Sequence, residues 1–296
     1  MRRAIPILLA MCLLASLSAA AEPPAGKYFP GNVRMVFPRS SRNSIMESVV
    51  AVTPNRHVIV FDGGHYADAD HLAEVILQYS DTVDYWFLSH AHSDHCGAII
   101  ELAKKRPDAL KIAKVLYAFP PQQWLAETEA WSKAETRVVC TGVAALPWPQ
   151  VELHKGDRFE VDGAAIDVLN FYDLNMTQNS CNNSSLVFSL RLGGRRLIFP
   201  GDIGVEMANV LVEEYGDGLK ADIVVLSHHG QNGASRQFYE KVAPEIAIWQ
   251  TPDWLWDNDN GGGPGSGSWQ TNYVKCWMQE LGVKRQFRNT DDIVLE

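Results

Sequence analysis

The six residues His90-Ala91-His92-Ser93-Asp94-His95 hold three of the nine histidines in this 296-residue chain. Side chains two apart on an extended segment point the same way, so His90 and His92 can share one metal ion. Asp94 and His95 follow on what reads as the same short loop but are directed differently, which suits a second metal beside the first. Imidazole nitrogens fit zinc well, and the carboxylate adds a hard oxygen ligand.

One loop cannot complete two coordination shells, so further ligands must come from other strand ends. "LIFPGD" closes an apolar run at Asp202, and "IVVLSHHG" closes another at His228 and His229. A carboxylate placed like Asp202 can bridge two metals ~3.5–4 Å apart, the spacing that activates a water between them. Taken singly, Asp202 reads equally as a helix N-cap. No histidine occurs between His154 and His228, and the polar residues of that interval include Asn170, Asp173, Asn182 and Asn183. An amide or carboxylate oxygen there would hold zinc more weakly and tolerate manganese or magnesium better. His154, in "VELHKGD", looks like an ordinary strand end.

The elements that must position these residues alternate in type after Pro30. "SIMESVVAV" and "HVIVFDGG" read as strands, the second running through Asp62 into a Gly-Gly turn. A helical pattern covers "DADHLAEVILQYS", and "VDYWFL" is a short strand leading into the histidines. A helix over 97–105, the strand "KIAKVLYAF", a helix over "PQQWLAETEAWSKA" and several short strands from Thr136 to Asn170 come next. "SLVFSLRLGGRRLIFPGD" is a hairpin turned on Gly193-Gly194. A helix over 204–214, the strand "ADIVVLSHHG", a helix near 236–242 and the strand "EIAIWQ" complete the pattern. Two such halves predict a layered α/β sandwich. "GGGPGSG", between Trp254, Trp256 and Trp269, suits a lid as well as a plain surface loop; Trp86, Trp124 and Trp131 are assigned to the core.

The first residues carry a different signal: basic Arg2-Arg3, an apolar run over 5–17, then Ser18-Ala19-Ala20-Ala21. This pattern predicts a signal peptide over 1–21, an exported protein, periplasmic or secreted, and one domain over 22–296. The apolar run is too short to span a bilayer, so no stable membrane insertion is expected. Without Arg2 and Arg3 the chain has 24 basic residues against 35 acidic ones, a formal charge of −11. Such a surface disfavours a long nucleic acid and leaves a small-molecule substrate as the expected partner. Cys96, Cys140, Cys181 and Cys276 allow either two disulfides or buried thiols.

"HAHSDH", "FPGD" and "SHHG", in this order and with "VFDGG" before them, resemble the metallo-β-lactamase superfamily. "NNSSLVFSLRLGGRRLIFPGD" with "ADIVVLSHHG" and "APEIAIW" is similar to the branch of ComEC-like competence hydrolases and choline-phosphate esterases. The resemblance runs from about Val58 to Trp249 and implies an αββα four-layer sandwich with two divalent metal ions, zinc or manganese, at one edge. It implies His90 and His92 on the first metal, Asp94, His95 and His229 on the second, and Asp202 bridging. Asp62 would orient the metal loop, and His228 would touch substrate or donate a proton. The first site lacks the family's usual third histidine, which leaves Asn170, Asn182 or Asn183 as replacement ligands.

The chemistry that follows is hydrolysis by water whose pKa the metals lower from about 15.7 toward about 7, with Asp94 orienting it. No G-x-S-x-G elbow supports a serine nucleophile. A phosphodiester or phosphomonoester fits the branch best. Carboxylic esters, lactones or β-lactams are the alternative substrates, and a noncatalytic metal-binding module with a degenerate first site is the alternative class.

Overall fold

Along residues 58–62 the side chains alternate between two faces, yet every one of them is buried. A strand apolar on both faces must lie between two packed layers. The computed structural model, which describes residues 28–296, places it there. The expected signal peptide over 1–21 lies outside the described residues.

In chain order the strands are β1 (Arg34–Phe37), β2 (Ser48–Val52), β3 (Val58–Asp62), β4 (Thr82–Val83), β5 (Tyr85–Phe87), β6 (Lys111–Ile112), β7 (Val115–Tyr117), β8 (Gln150–Glu152), β9 (Arg158–Val161), β10 (Ala164–Val168), β11 (Phe188–Leu192), β12 (Arg195–Phe199), β13 (Ile223–Val225), β14 (Ile246–Trp249), β15 (Arg285–Arg288) and β16 (Ile293–Leu295). The helices are α1 (Ala69–Leu77), α2 (Ser93–Lys105), α3 (Gln122–Thr128), α4 (Lys133–Ala144), α5 (Ser180–Asn183), α6 (Val205–Tyr215), α7 (Arg236–Val242), α8 (Asp253–Trp256) and α9 (Thr271–Glu280). One seven-stranded sheet runs β16-β1-β2-β3-β5-β7-β8, the other β15-β14-β13-β12-β11-β10-β9.

Three apolar layers hold the stack together. Val60, Trp86 and Leu88 pack against α1, α2 and α4. Ile59, Phe61 and Phe87 face the other way and meet Phe188, Leu190 and Phe199 of the second sheet. Ile198, Val224 and Trp249 pack under α6, α7 and α9. The order is helix, sheet, sheet, helix, the αββα sandwich the sequence implied.

Strands β3, β5, β7 and β8 are mutually parallel, as are β12 to β15. Loops leaving the C-terminal ends of β3, β5, β12 and β13 therefore gather at one edge of the sandwich, where open α/β sheets place their sites. Strand β2 runs the opposite way, with Ser48 opposite Asp62, so Glu47 arrives at the same edge.

The structure differs from the sequence reading in three places. Helix α2 starts at Ser93 rather than at Gly97, so Asp94 and His95 occupy its first turn instead of a loop. A carboxylate there is favoured by the helix dipole. Residues 133–144 are helical, not strands: Val139 and Val143, four apart, bury against α2, and tertiary burial overrides the β-branched preference of Thr136-Val138-Val139. Beyond Gln250, α8, α9, β15 and β16 add two helices and both outer strands of the sheets.

Gly97 sits where α2 crosses the turn after β3. A Cβ at this position would lie 2.4 Å from the Tyr66 backbone nitrogen and 2.7 Å from the His65 carbonyl carbon. The Gly97→Ala variant should lose about 1–3 kcal/mol of stability, by overpacking against backbone that cannot yield. Urea unfolding checks this, and an unchanged midpoint would contradict the packing.

Candidate metal centre

Asp62 organises the first half of the site from below. Its Oδ1 accepts the Ser89 backbone N–H at 2.7 Å, and its Oδ2 accepts the Ser89 hydroxyl at 2.6 Å. The same Oδ2 lies 2.7 Å from His95 Nδ1. With its proton given to Asp62, the Ser89 oxygen accepts from His90 Nδ1 at 3.0 Å. Both imidazoles are thus protonated at Nδ1, and both turn an Nε2 lone pair inward. A hydrogen bond on the far ring nitrogen is how proteins fix a ligand's tautomer and raise its basicity.

Asp202 stands at the focus. Its Oδ2 is 3.3 Å from His95 Nε2, 3.7 Å from both His228 Nε2 and His229 Nε2, and 3.9 Å from His90 Nε2. Most of these spacings exceed a hydrogen bond. They approach the distance between donors around a tetrahedral cation with bonds of 2.0–2.2 Å, about 3.3–3.6 Å. Two sets of donors form, His90-His92-Asp202 and Glu47-His95-Asp202-His229, with all ligand atoms in each within 4.8 Å of one another. Asp202 belongs to both sets.

The chemistry of the unpaired atoms fits a cation. Buried without a hydrogen-bond partner are His92 Nε2, His95 Nε2, His229 Nδ1, Asp202 Oδ1, Asn182 Oδ1 and both Glu47 oxygens. A buried polar atom left unpaired costs about 1–3 kcal/mol, so such a concentration at one point marks a place built for ligation.

Charges point the same way. Burial opposes a charge on His95, but Asp202, Asp94 and Asp62 outweigh it and raise its pKa well above the ordinary value. Burial also works against ionised Asp202, yet His95, His228 and His229 hold it well below the usual carboxylate range. Asp94 is likewise lowered by His95 and His229 in spite of burial. Burial, and next the charge of Asp202, push Glu47 well up, toward the neutral acid. Asp62, Asp94 and Asp202 thus stand around His95, and a cation entering between them meets carboxylate on several sides.

The histidine pair is separated by its surroundings. His229 is fully buried, with its Nε2 3.0 Å from Asp94 Oδ2. His228 lines an open cavity of about 750 Å³ together with His92, Asp94, Asn182, Asp202 and Trp131. Both histidines are in the left-handed region, at φ 53° and 57°, followed by Gly230 at 77°. Each non-glycine residue there costs on the order of 1–2 kcal/mol, strain that functional sites commonly hold.

Among the candidate replacement ligands only Asn182 faces this cavity. Asn170 spends its amide on the Ser185 carbonyl and the Val187 N–H. Asn183 Oδ1 accepts from Gly204 N, at the start of α6, and its Nδ2 donates to the Gln178 carbonyl. Asp173 accepts from Asn175, and His154 is exposed and stacked on Phe171.

Sequence reasoning missed Glu47, Glu129 and Trp131. The signal for Glu47 was a lone acid opening an otherwise apolar strand. Glu129 and Cys181 stand with His92 in a third close group, and Glu129 Oε2 accepts the Cys181 N–H at 3.2 Å. Trp131 is 74% exposed at the cavity mouth, 6.1 Å from the His92 ring, not in the core. The glycine-rich segment is gathered by Asp259, which accepts from Gly261 and Gly263, and contributes no wall to the cavity. Cys96, Cys140 and Cys181 are thiols, the first and last buried.

This fold with this site defines a class: the chain belongs to the metallo-β-lactamase superfamily, whose profile matches residues 45–248. Particular relatives sharpen it. Competence protein ComA of Neisseria gonorrhoeae is 28% identical over 207 residues, covering 68% of this chain and 25% of that protein. ComE operon protein 3 of Bacillus subtilis is 28% identical over 168 residues, covering 56% of this chain and 20% of that protein. The chain thus spans a quarter or less of the length of these relatives. Among solved structures, the metallo-β-lactamase-fold protein YhfI of Bacillus subtilis superposes with a TM-score of 0.52 at 10% identity, covering 89% of this chain and 99% of that one. CmlA, a diiron β-hydroxylase from Streptomyces venezuelae, gives 0.54 at 12%, covering 90% and 54%. Both likenesses are of fold.

Protein reconstituted with divalent metal should hold close to two equivalents by elemental analysis, and Asp202→Ala one or fewer. Two equivalents retained by that variant would show that the carboxylate is not shared. Asp62→Asn should weaken metal affinity about 10–100-fold in a chelator competition, because His95 and His90 lose their fixed tautomers.

Proposed function

We propose that this chain is an exported, metal-dependent hydrolase acting on a small phosphodiester or phosphomonoester. The observation that carries the reading is Asp202, one carboxylate common to two donor sets on the wall of an open cavity. His90, His92 and Asp202, with Asn182, would hold one cation; Asp94, His95, His229 and Asp202, backed by Glu47, would hold the other. When bound, the pair supplies Lewis acidity and brings the pKa of water from about 15.7 toward about 7.

The remaining chemistry falls to the side chains. Asp94 lines the cavity with Oδ2 3.0 Å from His229 Nε2, so it is anchored where it can orient a water. Burial lowers the pKa of His228, despite the opposing charge of Asp202, which keeps the ring neutral near pH 7. Its Nδ1 lies 3.4 Å from the Asn232 carbonyl and its Nε2 3.5 Å from Asn182 Nδ2, which leaves Nε2 as the accepting nitrogen. A proton taken there from water is the one His228 returns to the departing alkoxide. Trp131, with Val138 at 54% exposure, gives the mouth an apolar wall for the organic part of the ester. That wall also favours a second reading, hydrolysis of carboxylic esters, lactones or β-lactams.

A panel on metal-loaded protein separates the readings. Bis(p-nitrophenyl) phosphate or p-nitrophenyl phosphate should turn over fastest, ahead of p-nitrophenyl acetate, a lactone and nitrocefin. Turnover of none would leave the noncatalytic metal-binding module. Elemental analysis should include zinc, manganese and iron. Asn182→His should tighten retention of zinc at the first site about tenfold, since imidazole binds it better than an amide oxygen. Export is tested by N-terminal sequencing of the extracytoplasmic protein, which should begin at Glu22.

A further inference from the structure

Three depressions on the surface are linked by shared lining residues, the first of them at the metal centre. The cavity beside Asp202 is walled on one side by His65 and Tyr66. The same two residues wall a second depression of about 300 Å³, which reaches Ser40, Arg42 and Ser44. Those three in turn line a pocket of about 210 Å³ that also contains Arg39, Arg288 and Thr290.

The far pocket gathers the guanidinium groups of Arg39, Arg42 and Arg288, and Asp253 on its wall pairs with Arg288 alone. Among the described residues the Arg42 guanidinium makes no hydrogen bond or ion pair, and that of Arg39 makes only one bond, to the Ser40 carbonyl at 3.3 Å. Elsewhere Arg34, Arg106, Arg158, Arg191, Arg195 and Arg236 each stand against a carboxylate, Arg56, Arg196 and Arg285 are held by neutral acceptors, and among the described residues Arg137 alone resembles Arg42. The carboxylates near the pocket are already engaged. Arg288 pairs with Asp253. Asp292 accepts from the Arg39 N–H and contacts His71. Asp68 is buried and accepts from Ser41 N, Ser41 Oγ and Ser40 Oγ at 2.7, 2.8 and 3.1 Å. In a chain of formal charge −9, two guanidinium groups outside any ion pair lie together on one pocket.

The loop bearing these arginines is held in place before any ligand arrives. Asp68 ties Ser40 and Ser41 to the turn after β3, the turn that also packs on Gly97 of α2. On the other side Asn43 accepts from Asp253 N at 2.9 Å and from Trp254 Nε1 at 3.3 Å. A preorganised loop loses little entropy on binding. Guanidinium groups match the geometry of phosphate and carboxylate oxygens, and the Ser44 and Thr290 hydroxyls can add neutral donors.

We propose that the Arg39–Arg42 pocket is an anion subsite for a second phosphate or carboxylate group of the substrate. On the hydrolase reading above, on which this rests, the substrate then has two anionic groups: the ester at the metal centre and a terminal anion at the far pocket.

The test uses p-nitrophenyl phosphodiesters whose second arm is an alkyl chain of three to eight carbons, ending in phosphate or in a hydroxyl. For the best chain length, the phosphate-ended ester should have a KM at least about tenfold lower at similar kcat. Arg39→Ala/Arg42→Ala should abolish that advantage and leave the hydroxyl-ended esters unchanged. Equal KM for both endings at every length, or an advantage that survives in the double variant, overturns the proposal. If no diester turns over, the hydrolase reading fails, and calorimetry with 6-hydroxyhexyl phosphate on the metal-loaded protein still decides the subsite. Binding to wild type that is lost in the double variant supports it, whereas equal binding or none overturns it. Inorganic phosphate that binds through the arginines, while no chain length gains in KM, would mark a free-anion site and also overturn the substrate role.

Discussion

A single buried carboxylate, Asp62, constrains the rest of the site. Directly at His95 and through the Ser89 hydroxyl at His90, it dictates which nitrogen of each ring carries the proton. Without it either ring could turn its N–H inward, and a lone pair would be lost from one donor set or the other. The backbone makes room for this role. Asp62 itself is in the left-handed region at φ 50°, and Gly97 lets α2 approach the turn that follows. Ser48 and Asp62 are opposite each other across β2 and β3, so the register that places Asp62 also delivers Glu47.

The two donor sets are not equivalent. The set around His95 and His229 is buried and rich in carboxylate, with Glu47 in reserve. The set around His90 and His92 opens to the cavity through His92, and the Asn182 amide lies on the same cavity wall. His92 is further backed by Glu129 and Cys181, groups of a different chemical character from those behind His95. The asymmetry suits unequal duties: a tightly held cation for structure and charge, and a more exchangeable one facing the ligand.

Much of this was legible in the sequence because strand ends are short-range signals. Apolar runs closing on Asp62, His90, Asp202 and His228 declared both the sheets and the edge where they meet. The hairpin over Gly193-Gly194 came through as read. Helix α4 did not, since its valines and threonine have strand preference and only contact with α2 makes them helical. Asn170, Asn182 and Asn183 are alike in type and close in position, and only the direction of each amide, a tertiary fact, separates them. Glu47 and the arginine loop were hidden for the same reason: their roles arise from chain segments about 200 residues away, such as Gln250 bonded to Ser48 and Asp253 bonded to Asn43.

The donors come from both sheets: Glu47 precedes a strand of one and His90, His92 and His95 follow another of its strands, while Asp202 and His229 follow strands of the other sheet. Any cation held between them is therefore a clasp across the seam of the sandwich. At the opposite margin the layers are joined by side-chain packing and by Asn55, whose backbone N–H and Nδ2 donate to Asp162. Force that parts the sheets would then meet resistance at the edge where the donors gather.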